Sequence, residues 1–246
     1  MSESVADHSP VAAATVADLT WPEAARRTDA ILAVALGATE QHGPHLPLST
    51  DTDIAAALCA RLAALRPDVL VAPAIPYGAS GEHAGFPGTL SIGQAALELL
   101  IVELCRSATD TFGRVLLVNW HGGNLEPLRR AKTLLRGESR DVRVYLPPYQ
   151  GDLHAGRAET AVQLALTPDR VRLDRAEAGD TRPLAQLLPL LRAGGVRSVS
   201  ANGVLGDPAG AHAEEGAALL DHLTTDLLDR TRLWWPVTSP ERTPRP

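Results

Sequence analysis

Short apolar runs alternate with longer stretches of helical spacing along most of this chain. Four runs have the length and composition of buried strands, at residues 30–37, 69–74, 114–119 and 142–146. Helical spacing is found at residues 52–65, 94–111, 125–136, 182–192 and 214–233, and another helix begins near His154. Strands and helices that alternate at this pitch form a mostly parallel sheet with helices on both faces. The sequence therefore predicts an α/β fold, a single-domain α/β/α three-layer sandwich.

The two ends of the chain differ from its middle. Residues 1–18 are small and polar without a period, which predicts a mobile arm, and residues 237–246 form a Pro-rich, loose tail. Residues 19–236 contain no linker, repeat or low-complexity block, so we expect one domain there. Hydrophobic residues make up 45% of the chain and aromatic residues only 4%, so Leu, Val and Ala must fill the core.

Charge and cysteine content exclude several classes of protein. The net charge of −6 argues against a nucleic-acid-binding surface. No apolar run approaches the roughly 20 residues that a membrane helix needs, so we expect no membrane partner. Cys59 and Cys105 each lie in a predicted helix without a neighbouring ligand, which indicates buried, reduced thiols and a cytoplasmic protein.

Side chains of the metal-ligand type crowd the loop after the first strand. Glu40, His42, His45 and Asp51 fall between positions 40 and 51, among glycine and proline residues that exclude a regular helix or strand. We expect all four on an irregular loop at the carboxyl edge of the sheet, where α/β proteins bind ligands. Mixed histidine and carboxylate ligands suit zinc, iron or manganese.

Three more strands are followed by similar loops. The second leads to a Gly/Pro loop with Glu82 and His83, the third to His121, and the fourth to His154 and Glu159. Spacing alone leaves Glu159 open as an ordinary first-turn carboxylate of a helix. The chain has no Gly-x-Ser-x-Gly elbow, Walker loop or dinucleotide fingerprint, so hydrolysis by a metal-activated water is favoured over a nucleophilic serine.

Together these motifs resemble the creatininase (creatinine amidohydrolase) family. The matching segments are residues 37–51, 77–89, 121–124 and 154–160. Residues 172–177 and 202–216 are similar, more narrowly, to the branch of the family that acts in mycofactocin biosynthesis as a peptidase on a modified precursor peptide.

The resemblance implies a site with two divalent metal ions in a homo-oligomer. Carried over by position, the metal ligands are Glu40, His42, Asp51, His121 and Glu159. Glu40 and His121 would hold one ion, His42 the other, and Asp51 both. Gly123 stands where creatinine-cleaving members have a further Glu ligand, and Glu159 is taken to supply that carboxylate.

The resemblance also implies catalytic and substrate-binding residues. His154 would stabilise the tetrahedral oxyanion or shuttle a proton, and Glu82 or Glu159 would protonate the leaving amine. Substrate contacts are expected at Ser80, His83, Gly122 and Gln150. Gly122 and Gln150 stand where the creatinine-cleaving members have the aromatic pair that holds creatinine. Their presence disfavours creatinine as the substrate.

The reaction implied is attack on an amide carbonyl by a hydroxide that bridges the metals. It would release a C-terminal Val-Tyr dipeptide from the modified precursor peptide, and we expect glycine-lined loops at 78–88 and 202–210 to leave room for the peptide. One alternative is an amidohydrolase acting on a small cyclic amide or formamide, creatinine-like or a formylaminopyrimidine. Another is a metal-containing scaffold without catalysis.

Overall fold

The core of the protein is a four-stranded sheet with the order β2-β1-β3-β4. The computed structural model describes residues 14–148 and 151–236. The strands are β1 (Ile31–Leu36), β2 (Val69–Val71), β3 (Arg114–Asn119) and β4 (Asp141–Tyr145). All three strand pairs are parallel, and β1 and β3 pair along their full length, from Ile31 beside Arg114 to Leu36 beside Asn119. The parallel sheet is confirmed.

Helices cover both faces of this sheet. They are α1 (Trp21–Ala24), α2 (Thr50–Leu65), α3 (Gln94–Phe112), α4 (Leu125–Gly137), α5 (Arg157–Leu166), α6 (Leu184–Gly194) and α7 (Ala213–Trp234). One face packs α3 and α4 against residues such as Val34 and Leu117. The other face packs α2, α5 and α7 against residues such as Ala33 and Val118. The central strands are buried on both sides, which explains their unbroken apolar sequences and confirms the α/β/α sandwich.

Several elements begin or end away from their predicted limits. Strand β2 ends at Val71, whereas the prediction extended it to residue 74. Helix α5 begins at Arg157 rather than near His154. Asp51 was expected on an irregular loop, but it lies in the first turn of α2. The chain enters the helix early because Pro47 O accepts bonds from both the amide and the hydroxyl of Thr50, at 3.2 and 2.7 Å.

The predicted arm contacts the edge of the sheet where the structure describes it. Val71 N donates to Ala14 O at 3.0 Å, and Thr15 forms a parallel bridge with Val71. Residues 1–13 of the arm and the predicted tail lie outside the described residues, so the domain limits stay a prediction.

Both cysteines are free thiols in the core, as expected. Burial raises the pKa of Cys59 to about 12, which keeps this thiol protonated at neutral pH. Among the described residues, every helix is too short or too polar to cross a bilayer.

Candidate metal centre and adjoining cleft

The carboxyl edge of the sheet gathers all five predicted metal ligands. Glu40 and His42 follow β1, His121 follows β3, Asp51 lies in the first turn of α2, and Glu159 lies in the first turn of α5. Glu40 and His42 are fully buried, and Asp51 and His121 are 2% and 4% exposed. The parallel topology explains the convergence, since it brings the ends of β1 and β3 side by side.

Asp51 lies between two histidines. His121 Nδ1 is 3.2 Å from Asp51 Oδ2, and His42 Nε2 is 3.2 Å from Asp51 Oδ1. On the far side of each histidine is a second carboxylate: Glu40 Oε2 is 3.3 Å from His121 Nε2, and Glu159 Oε2 is 3.9 Å from His42 Nε2. Among the described residues, three groups keep their ligand atoms within 4.8 Å of one another: Glu40–Asp51–His121, His42–Asp51–Glu159 and Glu40–His42–His154. The first two are the groups that the resemblance implies.

The buried carboxylates in this cluster lack donors. Both oxygens of Glu40 and Oδ2 of Asp51 have no hydrogen bond among the described residues, and buried anions without partners are strongly destabilising. His42 Nδ1 is 3.2 Å from Glu40 O, a carbonyl that only accepts, so the Nδ1 proton is engaged there. His42 Nε2 therefore faces the carboxylates, and a proton or a cation must lie between them. The cluster fits a divalent cation with nitrogen and oxygen ligands.

Protons stabilise the cluster when no cation does. Burial opposes a charged imidazole, but the carboxylates of Asp51, Glu159 and Glu40 still raise the pKa of His42 to about 10. Despite burial, Glu40 and Asp51 likewise hold the pKa of His121 well above its ordinary value. Burial also acts on Asp51, yet the neighbouring imidazoles lower the pKa of its carboxyl group. Metal ions must therefore displace protons from both histidines.

Glu159 is held in place from two sides. Trp120 Nε1 donates to Glu159 Oε1 at 3.0 Å, and Ala155 N donates to Oε2 at 2.7 Å. Ala155 has a left-handed backbone with φ of 52°, which costs a non-glycine residue about 1–3 kcal/mol. In this strained turn the backbone amide of Ala155 points at the carboxylate of Glu159. Trp120 was not predicted as a site residue, although its place between β3 and His121 was an available signal.

Glu82 fills the space beside Gly123. A Cβ at Gly123 would collide with Ala79 O and Glu82 Oε1, so this backbone has no room for the Glu that creatinine-cleaving members carry there. Glu82 Oε1 lies 3.7 Å from His121 Nε2, its side chain is 35% exposed, and burial raises its pKa. It thus combines proximity to the cluster with access to solvent.

His154 packs against His42, with ring centroids 4.2 Å apart. Its Nε2 is 2.7 Å from Gln41 O, so the ring proton lies on Nε2. Its Nδ1 carries a lone pair and is 3.8 Å from Glu40 Oε1. Burial and His42 hold the pKa of His154 well below its ordinary value, which keeps the ring neutral. This arrangement favours proton transfer through Nδ1 over hydrogen-bond donation to an oxyanion.

The predicted substrate-binding residues do not lie together. Gly122 lines the cleft described below. Ser80 and His83 are 0% and 4% exposed, and Ser80 Oγ is 3.4 Å from His121 Nε2, so both lie behind the cluster. Gln150 lies outside the described residues. His45 also faces away from the cluster, since its Nε2 contacts Thr160 Oγ1 at 2.9 Å.

A cleft of about 250 Å³ opens beside the cluster. His121 and Glu159 form its inner wall. Leu125, Leu146 and Leu153, which are 47%, 44% and 39% exposed, also line it, together with Asn119, Trp120, Gly122 and Pro147. Solvent-exposed leucines next to polar ligands are typical of a site that receives an apolar group of a substrate.

The 202–210 loop packs on the site instead of leaving space. Gly203 has φ of 81°, and a Cβ there would collide with Gln41 Oε1. Gly206 similarly packs against the side chain of Asp152. The expectation that glycines of this loop make room for a peptide was wrong: they permit close contact between segments.

Comparison with known proteins agrees with the predicted family and fold. The sequence profile of the family described as "Creatininase: Creatinine amidohydrolase" matches residues 17–231. The chain belongs to the creatininase family. The predicted resemblance is thereby confirmed over nearly all the residues that the structure describes.

Individual family members are similar over most of their length. The mycofactocin precursor peptide peptidase of Mycolicibacterium smegmatis is 50% identical over 211 residues, which cover 82% of this chain and 85% of that protein. A crystal structure of creatinine amidohydrolase superposes with a TM-score of 0.79 at 28% identity, covering 92% of this chain and 99% of that one. A structure described as "Creatininase Mn" gives 0.76 at 29% identity, with coverages of 91% and 99%.

We predict that metal binding releases protons. At pH 7 the raised pKa values keep His42 and His121 protonated in the cation-free protein, and each must become neutral to bind a metal. Apparent affinity for Zn²⁺ should therefore increase from pH 6 to pH 8, by up to about two powers of ten per pH unit. Calorimetry in buffers of different ionisation enthalpy measures the protons released; a pH-independent affinity would contradict the assignment.

Two adjacent glycines offer a matched test of the crowding at Gly123. Gly123→Ala should weaken Zn²⁺ binding about 10–100-fold, because the new methyl group displaces Glu82 and His121. Gly122→Ala should bind as the parent protein does, since a Cβ there meets nothing within 4 Å. Competition with a chromophoric chelator gives both affinities, and equal values for the two variants would refute the explanation.

Proposed function

We propose that this creatininase-family protein is a metal-dependent peptidase that releases the C-terminal Val-Tyr dipeptide from a modified mycofactocin precursor peptide. The observation that carries the proposal is a buried ligand cluster whose members His121 and Glu159 also form a wall of a leucine-lined cleft. The 50% identity to a mycofactocin precursor peptide peptidase supports the choice of substrate.

Two divalent cations, zinc, iron or manganese, are the proposed cofactors. Two ligand groups that share Asp51 support this number, and the mixed nitrogen and oxygen ligands support these metals. When bound, the cations supply electrophilic polarisation of an amide carbonyl and acidification of a water molecule.

The chain itself orients the ligands and moves protons. Trp120 and the strained amide of Ala155 fix Glu159, which lets it face His42 at one end of the cluster. The lone pair on His154 Nδ1 accepts a proton close to Glu40. Glu82 has a raised pKa and a solvent-exposed carboxyl group, and so suits the donor of a proton to the leaving amine.

The lining of the cleft suits an apolar group of a peptide substrate. Gly122 contributes no side chain to the wall, and the leucines provide apolar surface beside the indole ring of Trp120. An apolar peptide side chain next to the scissile amide would bury that surface. Creatinine and small formamides remain the alternative class of substrate.

Assembly and location are further parts of the proposal. Leu99 and Leu100 on α3 are 62% and 38% exposed and supply an apolar face for a homo-oligomer, which light scattering on the purified protein tests. The two buried free thiols suit the reducing cytoplasm.

The decisive experiment is product analysis after metal reconstitution. The protein should convert the decarboxylated precursor peptide to a product shortened by Val-Tyr, detected by mass spectrometry, and leave creatinine unchanged. Asp51→Ala should lose bound metal and at least about 1000-fold in turnover, since several kcal/mol of electrostatic stabilisation disappear with the shared ligand. Creatinine hydrolysis without peptide cleavage would select the alternative; full activity in Asp51→Ala would refute the metal mechanism.

A further inference from the structure

The side chain of Gln41 is surrounded by polar partners behind the metal cluster. Its Oε1 accepts from Gly43 N at 2.9 Å, and its Nε2 is 3.0 Å from Gly203 O. An amide can donate only through nitrogen and a carbonyl can only accept, so these two contacts fix the orientation of the carboxamide. Gln41 Nε2 also lies 2.8 Å from His83 Nδ1 and 3.0 Å from His154 Nε2.

Gln41 has two N–H groups and three neighbours for them. His154 Nε2 already donates to Gln41 O at 2.7 Å and thus has no lone pair to offer. The two N–H groups of Gln41 therefore go to Gly203 O and His83 Nδ1. His83 accepts at Nδ1, so its ring proton lies on Nε2.

The N–H group of His83 lies beside the ligand carboxylate of Glu40. His83 Nε2 is 3.3 Å from Glu40 Oε1, whereas Glu40 Oε2 faces His121 at the same distance. Oε1 of the fully buried Glu40 makes no well-aligned hydrogen bond to a described residue, and His83 Nε2 approaches it more closely than His154 Nδ1, which is 3.8 Å away. Loss of a partner that fixes the orientation of a metal ligand typically weakens metal binding about 10–100-fold.

We propose that Gln41 and His83 form a positioning pair: Gln41 holds His83 as the tautomer that presents its N–H to Glu40, and this contact orients Glu40 toward the metal. Neither residue contacts substrate in this arrangement, which replaces the substrate-binding role predicted for His83. The proposal rests on the proposed metal-dependent function.

The 202–210 loop completes the pair. Gly203 supplies the carbonyl that takes one N–H of Gln41, and its missing side chain leaves the space that the carboxamide fills. This gives the loop a function at the metal centre, although it comes from a distant part of the chain.

Two substitutions at His83 separate its two nitrogens. Gln places an amide near the position of Nε2, whereas Asn places an oxygen near the position of Nδ1. His83→Gln should therefore keep the donor to Glu40 and bind Zn²⁺ within about 3-fold of the parent, while His83→Asn and Gln41→Met should bind about 10–100-fold more weakly. Chelator competition on dialysed protein measures the affinities without any turnover, and the Co²⁺ absorption spectrum reports ligand geometry.

Two glycines with similar positive φ angles provide the matched control. Gly203→Ala and Gly93→Ala both place alanine at positive φ, 81° and 78°, but a Cβ at position 93 meets nothing within 4 Å. Only Gly203→Ala should reproduce the weak Zn²⁺ binding and altered Co²⁺ spectrum of Gln41→Met. Circular dichroism confirms that each variant is folded.

The outcomes distinguish this proposal from the proposed function. If the parent protein binds no divalent metal, the metal-dependent function fails. If the parent binds metal but His83→Gln and His83→Asn bind it equally, or Gly203→Ala matches Gly93→Ala, the positioning pair is refuted. A rise in KM for both His83 variants with unchanged metal affinity would restore the substrate-binding role.

Discussion

The burial of two carboxylates, Glu40 and Asp51, is the constraint on which the site depends. A folded chain does not place unpaired anions in its interior without compensation. Here the compensation comes from histidines on separate segments: His42 turns one ring nitrogen toward the carboxylates, and His121 turns both. Without cations, protons on His42 and His121 balance the charge. Cations bound by the same donor set would replace these protons.

The parallel sheet makes this concentration of charge possible. The pairing of β1 with β3 brings Leu36 beside Asn119, so the segments that follow them, with Glu40 and His121, begin as neighbours. Helix α2 then returns Asp51 to the same edge because the chain enters the helix at Thr50, whose amide donates to Pro47 O. The apolar packing of the sandwich stabilises the fold. The loops can therefore hold polar groups that contribute little to folding.

Much of this architecture was predictable from local patterns. The apolar runs at β1 and β3 predicted the sheet, and the histidine and carboxylate motifs after them predicted a ligand-rich edge. The assignment of these side chains to two ligand groups came from the family resemblance. The contacts that orient the ligands were not predictable in this way. Trp120 looks like a core residue, and the meeting of Gln41 with Gly203 joins positions 162 apart in sequence. Such contacts depend on packing between distant segments, which no periodicity encodes. The glycines of the 202–210 loop were misread for the same reason.

There is a physical reason why metal ligands can be predicted from the sequence and the residues that position them cannot. Metal ligands must be titratable or strongly polar, so their residue types reveal them in the sequence. A residue that positions a ligand needs only a donor or an acceptor in the right place, and a backbone amide such as that of Ala155 serves as well as a side chain. Substrate preference should then depend on cleft residues such as Gly122 and Leu146, whose residue types carry no such signal in the sequence.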